Sequence, residues 1–182
     1  TKNKIDNIII LKKIFFMGVN IALLTVTDTR TLETDKSGNI LVDKIKKALH
    51  QLIDRKICKD NKEDIKKILV EWTKLKDIDV IITTGGTGLT GRDITPEALD
   101  EIADKHIPGF GEVFRTISLK TVGTSSIQSR ACAVLANGKY IFALPGSSGG
   151  VTDAWDQILI HQLDINHKPC NFVELFPRLK EK

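Results

Sequence analysis

The most informative segment of the chain is residues 78–98, IDVIITTGGTGLTGRDITPEA. Its apolar run, residues 78–84, has the length and β-branched composition of a strand buried on both faces. The glycines that follow are typical of a loop. Thr95-Pro96-Glu97 predicts a helix start, with the Thr95 hydroxyl as cap, proline in the first turn and an acid near the positive helix end. The segment therefore predicts a strand, a glycine loop and a helix in succession.

Further strands and helices alternate along the chain. An apolar run predicts a strand at residues 20–27, a short strand is expected around residues 54–58, and Asn137-Gly138 predicts a tight turn between strands 131–136 and 140–144. Helical spacing of apolar residues predicts one helix near Ile40, one after the N-cap Asn61 and a last one at residues 151–163. The apolar stripe of the first helix is expected to contain Leu41, Ile45, Ala48, Leu49 and Leu52. This alternation predicts an α/β fold, a three-layer α/β/α sandwich with a mostly parallel sheet and one antiparallel strand.

The length of 182 residues fits one domain. We divide the chain into an N-terminal arm, residues 1–17, an α/β domain, residues 18–176, and a C-terminal tail, residues 177–182. The arm contains apolar residues, but Lys12 and Lys13 interrupt them and the run is too short to span a bilayer. We therefore expect neither secretion nor a membrane partner.

The composition narrows the classes of partner. The formal charge is only +4 and aromatic residues make up 5% of the chain, whereas nucleic-acid-binding proteins usually gather basic and aromatic residues on one surface. Nucleic acid is therefore not an expected partner. The three cysteines, Cys58, Cys132 and Cys170, have no spacing typical of zinc or of a disulfide framework. A reducing, cytoplasmic location is the simplest expectation.

Polar groups follow the predicted strands at their carboxyl ends. These groups are Asp28, Asp60, the loop 83–93 and the loop 145–150. Ligands of open α/β sheets bind at this edge, and glycines let backbone N–H groups approach a phosphate because they have no Cβ. Asp60 and Asp93 could hold Mg²⁺ between reacting phosphates. The sequence therefore predicts a site for a phosphorylated ligand, centred on the loop 83–93.

Three common motifs match these loops only in part. Residues 86–91 satisfy G-x-G-x-x-G, but the helix begins only at Pro96 and no strand ending in an acid follows, which disfavours a nicotinamide-dependent dehydrogenase. The G-x₄-G spacing of a P-loop ends here in Arg92-Asp93 instead of Lys and Ser/Thr. Residues 146–150 fit G-x-S-x-G, yet a serine hydrolase needs a later acid and histidine, for which only His167 is free.

Residues 83–98, TTGGTGLTGRDITPEA, closely resemble the signature of molybdenum cofactor biosynthesis proteins of the MoaB/MogA type. Further matching pieces occur in order along the chain. They are residues 25–28, TVTD, residues 108–112, PGFGE, residues 123–126, GTSS, with Ser129-Arg130, and residues 144–147, LPGS. Because these pieces extend from Val19 to about Phe172, the resemblance covers nearly the whole chain.

The resemblance implies an α/β/α fold assembled as a trimer or a dimer of trimers. It also implies transfer of AMP from ATP to molybdopterin with Mg²⁺, so that ATP and molybdopterin are the substrates and residues 18–176 bind molybdopterin. Other proteins of the molybdenum cofactor pathway are further candidate partners. Asp60 and Asp93 match the acidic positions of the family and are assigned catalysis and metal binding. The candidate ligand-binding residues are Asp28, Thr84, Gly85, Gly86, Thr87, Gly88, Arg92, Ser125, Ser126, Arg130, Pro145, Gly146 and Ser147.

Some of these assignments have alternatives. Arg92 or Arg130 is expected to neutralise charge, while Ser125, Ser126 and Ser129 could bind a ligand or equally satisfy a turn. Ser148 stands where adenylylating members with larger architectures tend to have the second proline of Pro-Gly-x-Pro. The alternative function is therefore that of a non-catalytic molybdopterin-binding or scaffold protein of the same pathway.

Overall fold

The strand β3, Val80–Thr84, is completely buried, as its apolar sequence predicts. The computed structural model describes residues 18–181; the predicted arm, residues 1–17, and residue 182 of the predicted tail lie outside the described residues. Successive side chains of β3 pack into two different apolar clusters: Val80 and Ile82 into the first, Ile81 into the second. Each face of the sheet is therefore covered by its own layer.

The sheet contains five strands besides β3 in the described chain. They are β1 Asn20–Val26, β2 Gln51–Cys58, β4 Lys105–His106, β5 Cys132–Ala136 and β6 Lys139–Leu144. The spatial order is β2-β1-β3-β6-β5-β4. The pairs β1–β2, β1–β3 and β3–β6 are parallel, whereas β5 runs antiparallel to both of its neighbours. The predicted mostly parallel sheet with one antiparallel strand is confirmed.

Helices cover both faces of the sheet. They are α1 Lys36–Lys47, α2 Lys62–Lys74, α3 Thr95–Asp100, α4 Pro108–Val122, α5 Ser148–Ala154 and α6 Ile160–Gln162, and a π-helical segment, Trp155–Leu159, joins the last two. Leu41, Phe114 and Trp155 pack in the first cluster, so α1, α4 and the C-terminal helical segment form one outer layer. Trp72 and Leu99 place α2 and α3 on the opposite face. The three-layer α/β/α architecture is confirmed.

Two local sequence signals act as predicted. The Asn61 side chain caps α2, because its Oδ1 accepts hydrogen bonds from the N–H groups of Glu63 and Asp64 at 3.0 and 3.1 Å. Asn137 and Gly138 have positive φ values of 49° and 72°, which allows the tight turn between β5 and β6. The sequence signals for both elements are local, and the turn is held in addition by long-range hydrogen bonds from Asn137 to Asp104 at 2.6 Å and to the carbonyl of Thr73 at 3.0 Å.

The end of α1 differs from the prediction. The helix ends at Lys47, and Leu49 leaves it with a φ of 61° and a side chain that is 81% exposed. Leu52 belongs to β2, which begins at Gln51 and not at residue 54. Leu49 and Leu52 therefore do not extend the buried stripe of α1, because a left-handed residue turns the chain back toward the sheet.

The chain after α6 packs on the first apolar cluster. Phe172 and Phe176 lie with their ring centroids 4.7 and 5.7 Å from that of Tyr140, and Leu179 also packs against this cluster. The contacts bury the outer face of β6 close to its start. No helix within residues 18–181 has both the length and the apolar character needed to cross a bilayer.

Candidate functional site

The glycine loop begins where β3 ends. Gly85 and Gly86 have φ values of 106° and 65°, a backbone region that residues with a Cβ rarely adopt. A Cβ on Gly85 would lie 2.1 Å from the carbonyl oxygen of Val26, at the end of β1. Glycine is therefore required at this turn both by backbone conformation and by the close approach of the neighbouring strand.

Thr95 holds the first half of the loop from the side. Its hydroxyl donates to the carbonyl of Gly85 at 2.9 Å, and its N–H donates to the carbonyl of Gly86 at 3.0 Å. The predicted cap of α3 is thus wrong, because the buried Thr95 hydroxyl binds the loop and the helix has no side-chain cap. The N–H groups of Gly86 and Thr87 donate to no atom of residues 18–181. They are therefore available to a ligand.

Arg130 holds the second half of the loop from behind. Its N–H donates to the carbonyl of Thr87 at 2.9 Å, its Nε donates to the carbonyl of Gly88 at 2.7 Å, and its Nη2 donates to the carbonyl of Asp93 at 2.8 Å. Its Nη1 forms an ion pair with Glu97 on α3. The Arg130 guanidinium therefore positions the loop and is already neutralised by a carboxylate.

A cavity of about 600 Å³ opens at the carboxyl ends of the parallel strands. It is lined by Val26, Thr27, Thr29, Arg30, Asp60, Thr84, Gly85, Gly86, Thr87, Gly88, Asp93, Gln128, Ser129, Pro145, Gly146 and Ser147. These residues come from the segments that follow β1, β2, β3 and β6 and from the segment before β5. The loops separated in sequence converge on one cavity, as expected for an open α/β sheet.

Asp60 lies in a cluster of negative charge. It follows β2, and its N–H donates to Oδ1 of Asp28 at 3.3 Å. Burial raises the pKa of Asp60, and the carboxylates of Asp28 and Asp93 raise it further, while Arg92 acts in the opposite direction. A carboxyl group whose pKa is raised by neighbouring carboxylates lies in a negative potential, which favours binding of a cation.

Asp93 is oriented within the loop itself. Its Oδ2 accepts hydrogen bonds from the N–H of Thr90 at 2.9 Å and from the Thr90 hydroxyl at 2.7 Å. Burial acts to raise the pKa of Asp93, but the hydrogen bonds from Thr90 and from the N–H of Gly88 outweigh it and lower the pKa. Asp93 is therefore ionised at neutral pH.

These acids suit a magnesium ion that is shared with phosphates. Within residues 18–181 no group of three or more His, Cys, Asp or Glu side chains is close enough to enclose a metal ion. Mg²⁺ usually binds through one or two carboxylates, with water and substrate phosphates as its other ligands. Asp60 and Asp93, which line the same cavity, meet that requirement, and the Asp93 carboxylate helps to raise the pKa of Asp60.

Comparison with known proteins identifies the family of this chain. A family model described as a probable molybdopterin binding domain matches residues 22–165. Molybdenum cofactor biosynthesis protein B of Escherichia coli K12 is 44% identical over 166 residues, which make up 91% of this chain and 96% of that protein. The chain belongs to the MoaB/MogA family. Membership supports a role in molybdenum cofactor biosynthesis.

Solved structures of the MoaB/MogA family share this fold. A crystal structure of a molybdenum cofactor biosynthesis protein B superposes with a TM-score of 0.81 at 39% identity, covering 88% of this chain and 96% of that one. The tungsten cofactor synthesizing protein MoaB from Pyrococcus furiosus has a TM-score of 0.70 at 35% identity, covering 78% and 91%. The α/β/α architecture described above is therefore that of the family.

Several candidate residues of this MoaB/MogA protein do not line the cavity. Arg92 forms an ion pair with Asp28 at the rim, and its side chain is 74% exposed. Ser125 is exposed and Ser126 is buried, both within the 3₁₀ turn Gly123–Gln128. Neither these residues nor Arg130 lines the cavity. Their role in ligand binding stays a prediction.

The cavity also contains residues that the sequence interpretation missed. Arg30, which lies two residues after Asp28, is the most notable because it is a cation at the cavity surface. Thr27, Thr29 and Gln128 add polar groups, and Ser129, which the sequence had raised as a possible ligand-binding residue, also lines the cavity. The position of Arg30 just beyond a strand end is a signal that could have indicated it.

Proposed function

We propose that this protein transfers AMP from ATP to the phosphate of molybdopterin, forming adenylylated molybdopterin and pyrophosphate. Family membership supports the pathway, since its relatives are named as molybdenum cofactor biosynthesis proteins. The observation that carries the proposal is the convergence of the free N–H groups of Gly86 and Thr87 with Asp60 and Asp93 in one cavity. Such a site combines donors for anions with carboxylates for a cation.

The reaction requires two phosphorylated molecules to be held in line. A phosphate oxygen of molybdopterin attacks the α-phosphorus of ATP, the bond between that phosphorus and the oxygen bridging to the β-phosphate breaks, and pyrophosphate leaves with the electron pair. The phosphate is already ionised near neutral pH, since its second pKa is about 6, so no protein base is needed. Catalysis then depends on positioning and on neutralising negative charge.

The residues of the cavity divide these tasks. The N–H groups of Gly86 and Thr87 bind phosphate oxygens, in the manner of other glycine loops. Asp60 and Asp93 are the residues that hold Mg²⁺, and a bound Mg²⁺ supplies charge neutralisation for the reacting phosphates. Thr95 and Arg130 keep the loop in the conformation that exposes its N–H groups.

A second candidate function is that of a non-catalytic molybdopterin-binding or scaffold protein. One observation favours it: the Asp93 carboxylate already accepts two hydrogen bonds from Thr90, which can also be understood as a purely structural turn. Ser148 in place of the second proline of Pro-Gly-x-Pro agrees with this alternative. Such a protein needs the glycine loop but not metal binding by Asp93.

The two functions are separated by the substitution Asp93→Asn. Asparagine keeps an acceptor for Thr90 but loses the charge that binds Mg²⁺. For the transferase we expect product formation from molybdopterin, ATP and Mg²⁺ to fall by roughly 100-fold or more, as when one electrostatic stabiliser of a transition state is removed. Adenylylated molybdopterin is measured by chromatography, and molybdopterin binding should persist.

Asp77→Asn is the matched control, because Asp77 is exposed and precedes β3, at the amino-terminal edge of the sheet away from the cavity. It should leave product formation unchanged. An active wild-type protein whose rate survives Asp93→Asn would remove Asp93 from the mechanism. A wild-type protein that binds molybdopterin but forms no product would favour the binding or scaffold function.

We further propose that the protein assembles as a trimer or a dimer of trimers. Leu119 and Val122, which lie three residues apart on one side of α4, are about half exposed, and Ile127, five residues further along the chain, is 77% exposed. Apolar groups that remain exposed together favour an interface. Light scattering coupled to size-exclusion chromatography tests this assembly, and a mass of one chain at micromolar concentration would contradict it.

A further inference from the structure

Arg30 is the one Arg or Lys among the described residues that line the cavity. The two arginines that the sequence favoured are engaged elsewhere: Arg92 with Asp28, and Arg130 with Glu97. A site for two phosphorylated molecules must neutralise several negative charges, and metal binding accounts for only part of them. We therefore consider Arg30, the cation at the cavity surface, as a group that neutralises the remaining charge.

The Arg30 side chain is held by one end only. Its Nη1 donates to the carbonyl of Gly146 at 3.2 Å and to the hydroxyl of Ser37 at 3.4 Å. The Ser37 hydroxyl donates to the same Gly146 carbonyl at 2.7 Å, which fixes that anchor point. Nε and Nη2 donate to no atom of the described chain, and the side chain is 39% exposed. The guanidinium is thus oriented but retains free donors.

The charge of Arg30 is only partly neutralised by the protein. The nearest carboxylate, Asp35, lies 4.0 Å from Nη1, at the limit of an ion pair. Asp35 is fully buried and pairs more closely with Arg55, at 3.0 Å. Because two guanidinium groups share one carboxylate, Arg30 can accept a further anion.

The order of the strands separates Arg30 from the acidic end of the cavity. Arg30 follows β1 but is anchored on Gly146, in the loop after β6, whereas Asp60 follows β2 at the opposite side of β1. Asp60 interacts instead with Asp28. The cavity thus presents carboxylates toward the β2 side and a guanidinium toward the β6 side.

We propose that Arg30 binds the ester-linked phosphate group of one ligand, which is the α-phosphate in the nucleotide, through the guanidinium donors that the protein leaves free. The inference rests on the proposed function, because it assumes that phosphorylated ligands enter this cavity. Arginine suits the role since its planar fork of donors matches two phosphate oxygens at once. The phosphate belongs either to the nucleotide or to the pterin, and both contain the same chemical group.

Calorimetric titration of the full chain with two pairs of ligands, in Mg²⁺, tests the proposal. The pairs are AMP with adenosine, and molybdopterin with dephosphomolybdopterin; within each pair only the phosphate differs. Arg30→Gln removes the charge, whereas Arg30→Lys keeps a cation but lacks the planar pair of guanidinium donors. Arg178→Gln is the control, because it removes an equal charge at an exposed site near the C-terminus. Thermal melting checks that each variant is folded, which we expect because Ser37 still binds Gly146.

We expect Arg30→Gln to weaken the binding of the phosphorylated member of one pair by about tenfold or more. The affinity for the unphosphorylated member of that pair should not change. Arg30→Lys should recover part of the loss, and Arg178→Gln should bind like wild type. The affected pair identifies the ligand whose phosphate Arg30 binds.

Two results would overturn the inference alone. In the first, Arg30→Gln prefers the phosphorylated member of both pairs as strongly as wild type does. In the second, the variant binds phosphorylated and unphosphorylated ligands equally more weakly than wild type, which would mean that Arg30 has a structural role. Failure of the wild-type protein to prefer either phosphorylated ligand would instead overturn the proposed function, and the inference with it.

Discussion

Replacing Arg130 by methionine should destabilise the glycine loop even when no ligand is bound. Methionine has a similar length but none of the donors that hold the carbonyls of Gly88 and Asp93 and the carboxylate of Glu97. The backbone hydrogen bond from Arg130 to Thr87 remains. The substitution therefore removes only the guanidinium contacts.

The size of the effect follows from those contacts. Hydrogen bonds to a charged group contribute about 1.5–3 kcal/mol each. The Arg130 side chain is 31% exposed, so we count about 1 kcal/mol for each carbonyl contact. The ion pair with Glu97, whose side chain is 40% exposed, adds less than about 1 kcal/mol. A total loss of about 2–3 kcal/mol lowers the Tm of a chain of this length by about 5–10 °C.

Glu97 gives this effect a pH dependence. The hydrogen bond from Arg130 lowers the pKa of Glu97 from its ordinary value of 4.5, against burial, which raises it. A carboxyl group with a lowered pKa stabilises the folded state above its ordinary pKa, and the contribution is lost as the pH falls through the lowered value. The difference in Tm between wild type and Arg130→Met should therefore shrink below about pH 4.5.

Thermal unfolding without ligand measures the loss of stability, and hydrogen exchange of residues 86–93 shows whether the loop has opened. Arg178→Met is the control, because its exposed ion pair with Glu181 should contribute less than about 0.5 kcal/mol. If Arg130→Met melts within about one degree of wild type, the guanidinium does not hold the loop. Arg130 would then have to be considered again as a ligand-binding residue.

Three more predictions concern Asp60 and Tyr140, two groups whose pKa is raised. Burial, followed by the carboxylates of Asp28 and Asp93, raises the pKa of Asp60, so Mg²⁺-dependent product formation should fall, as the pH is lowered, earlier than for an ordinary aspartate. A carboxyl group with a raised pKa contributes stability that is lost as the pH rises through that pKa, so the ionised Asp60 destabilises the folded state at pH 7. Asp60→Asn should therefore abolish activity yet raise Tm at pH 7, and a lower Tm would contradict the argument. Burial raises the pKa of Tyr140 to about 12, and its hydroxyl has no partner among the described atoms. Tyr140→Phe should therefore increase the free energy of unfolding in urea by up to about 1 kcal/mol, whereas a decrease would reveal a hydrogen bond to water.

The parts of the fold that the sequence predicted are those set by local physics. β3 and its glycine loop were predictable because a continuous apolar run and consecutive glycines have few alternative structures. Asn61 and Asn137-Gly138 likewise act through their immediate neighbours. The edge of the sheet where the site lies was also predictable, since parallel strands place their carboxyl ends together.

The parts that were missed depend on tertiary contacts. Thr95 precedes a proline and has the sequence of a helix cap, but its hydroxyl is captured by the carbonyl of Gly85, ten residues earlier in the chain. The helix α4 was not predicted, since Gly109 and Gly111 in its first turn are poor helix formers. Gly111 is needed there because a Cβ would lie 2.6 Å from the carbonyl oxygen of Ala131. In both cases packing overrides local propensity.

Asp35 shows why an acid near the cavity need not be a metal ligand. Its carboxylate is fully buried and accepts hydrogen bonds from the hydroxyl of Thr25 at 2.6 Å, the N–H of Gly38 at 2.9 Å and Arg55 at 3.0 Å. With these donors in place, few of its lone pairs remain for a cation. Asp60, by contrast, is surrounded by other carboxylates. Asp35 is also the N-cap residue of α1 and so fixes the start of this helix. The position of the helix in turn brings the Ser37 hydroxyl to the carbonyl of Gly146. The buried Asp35 thus sets the geometry of the cavity near Gly146, on the side opposite to Asp60.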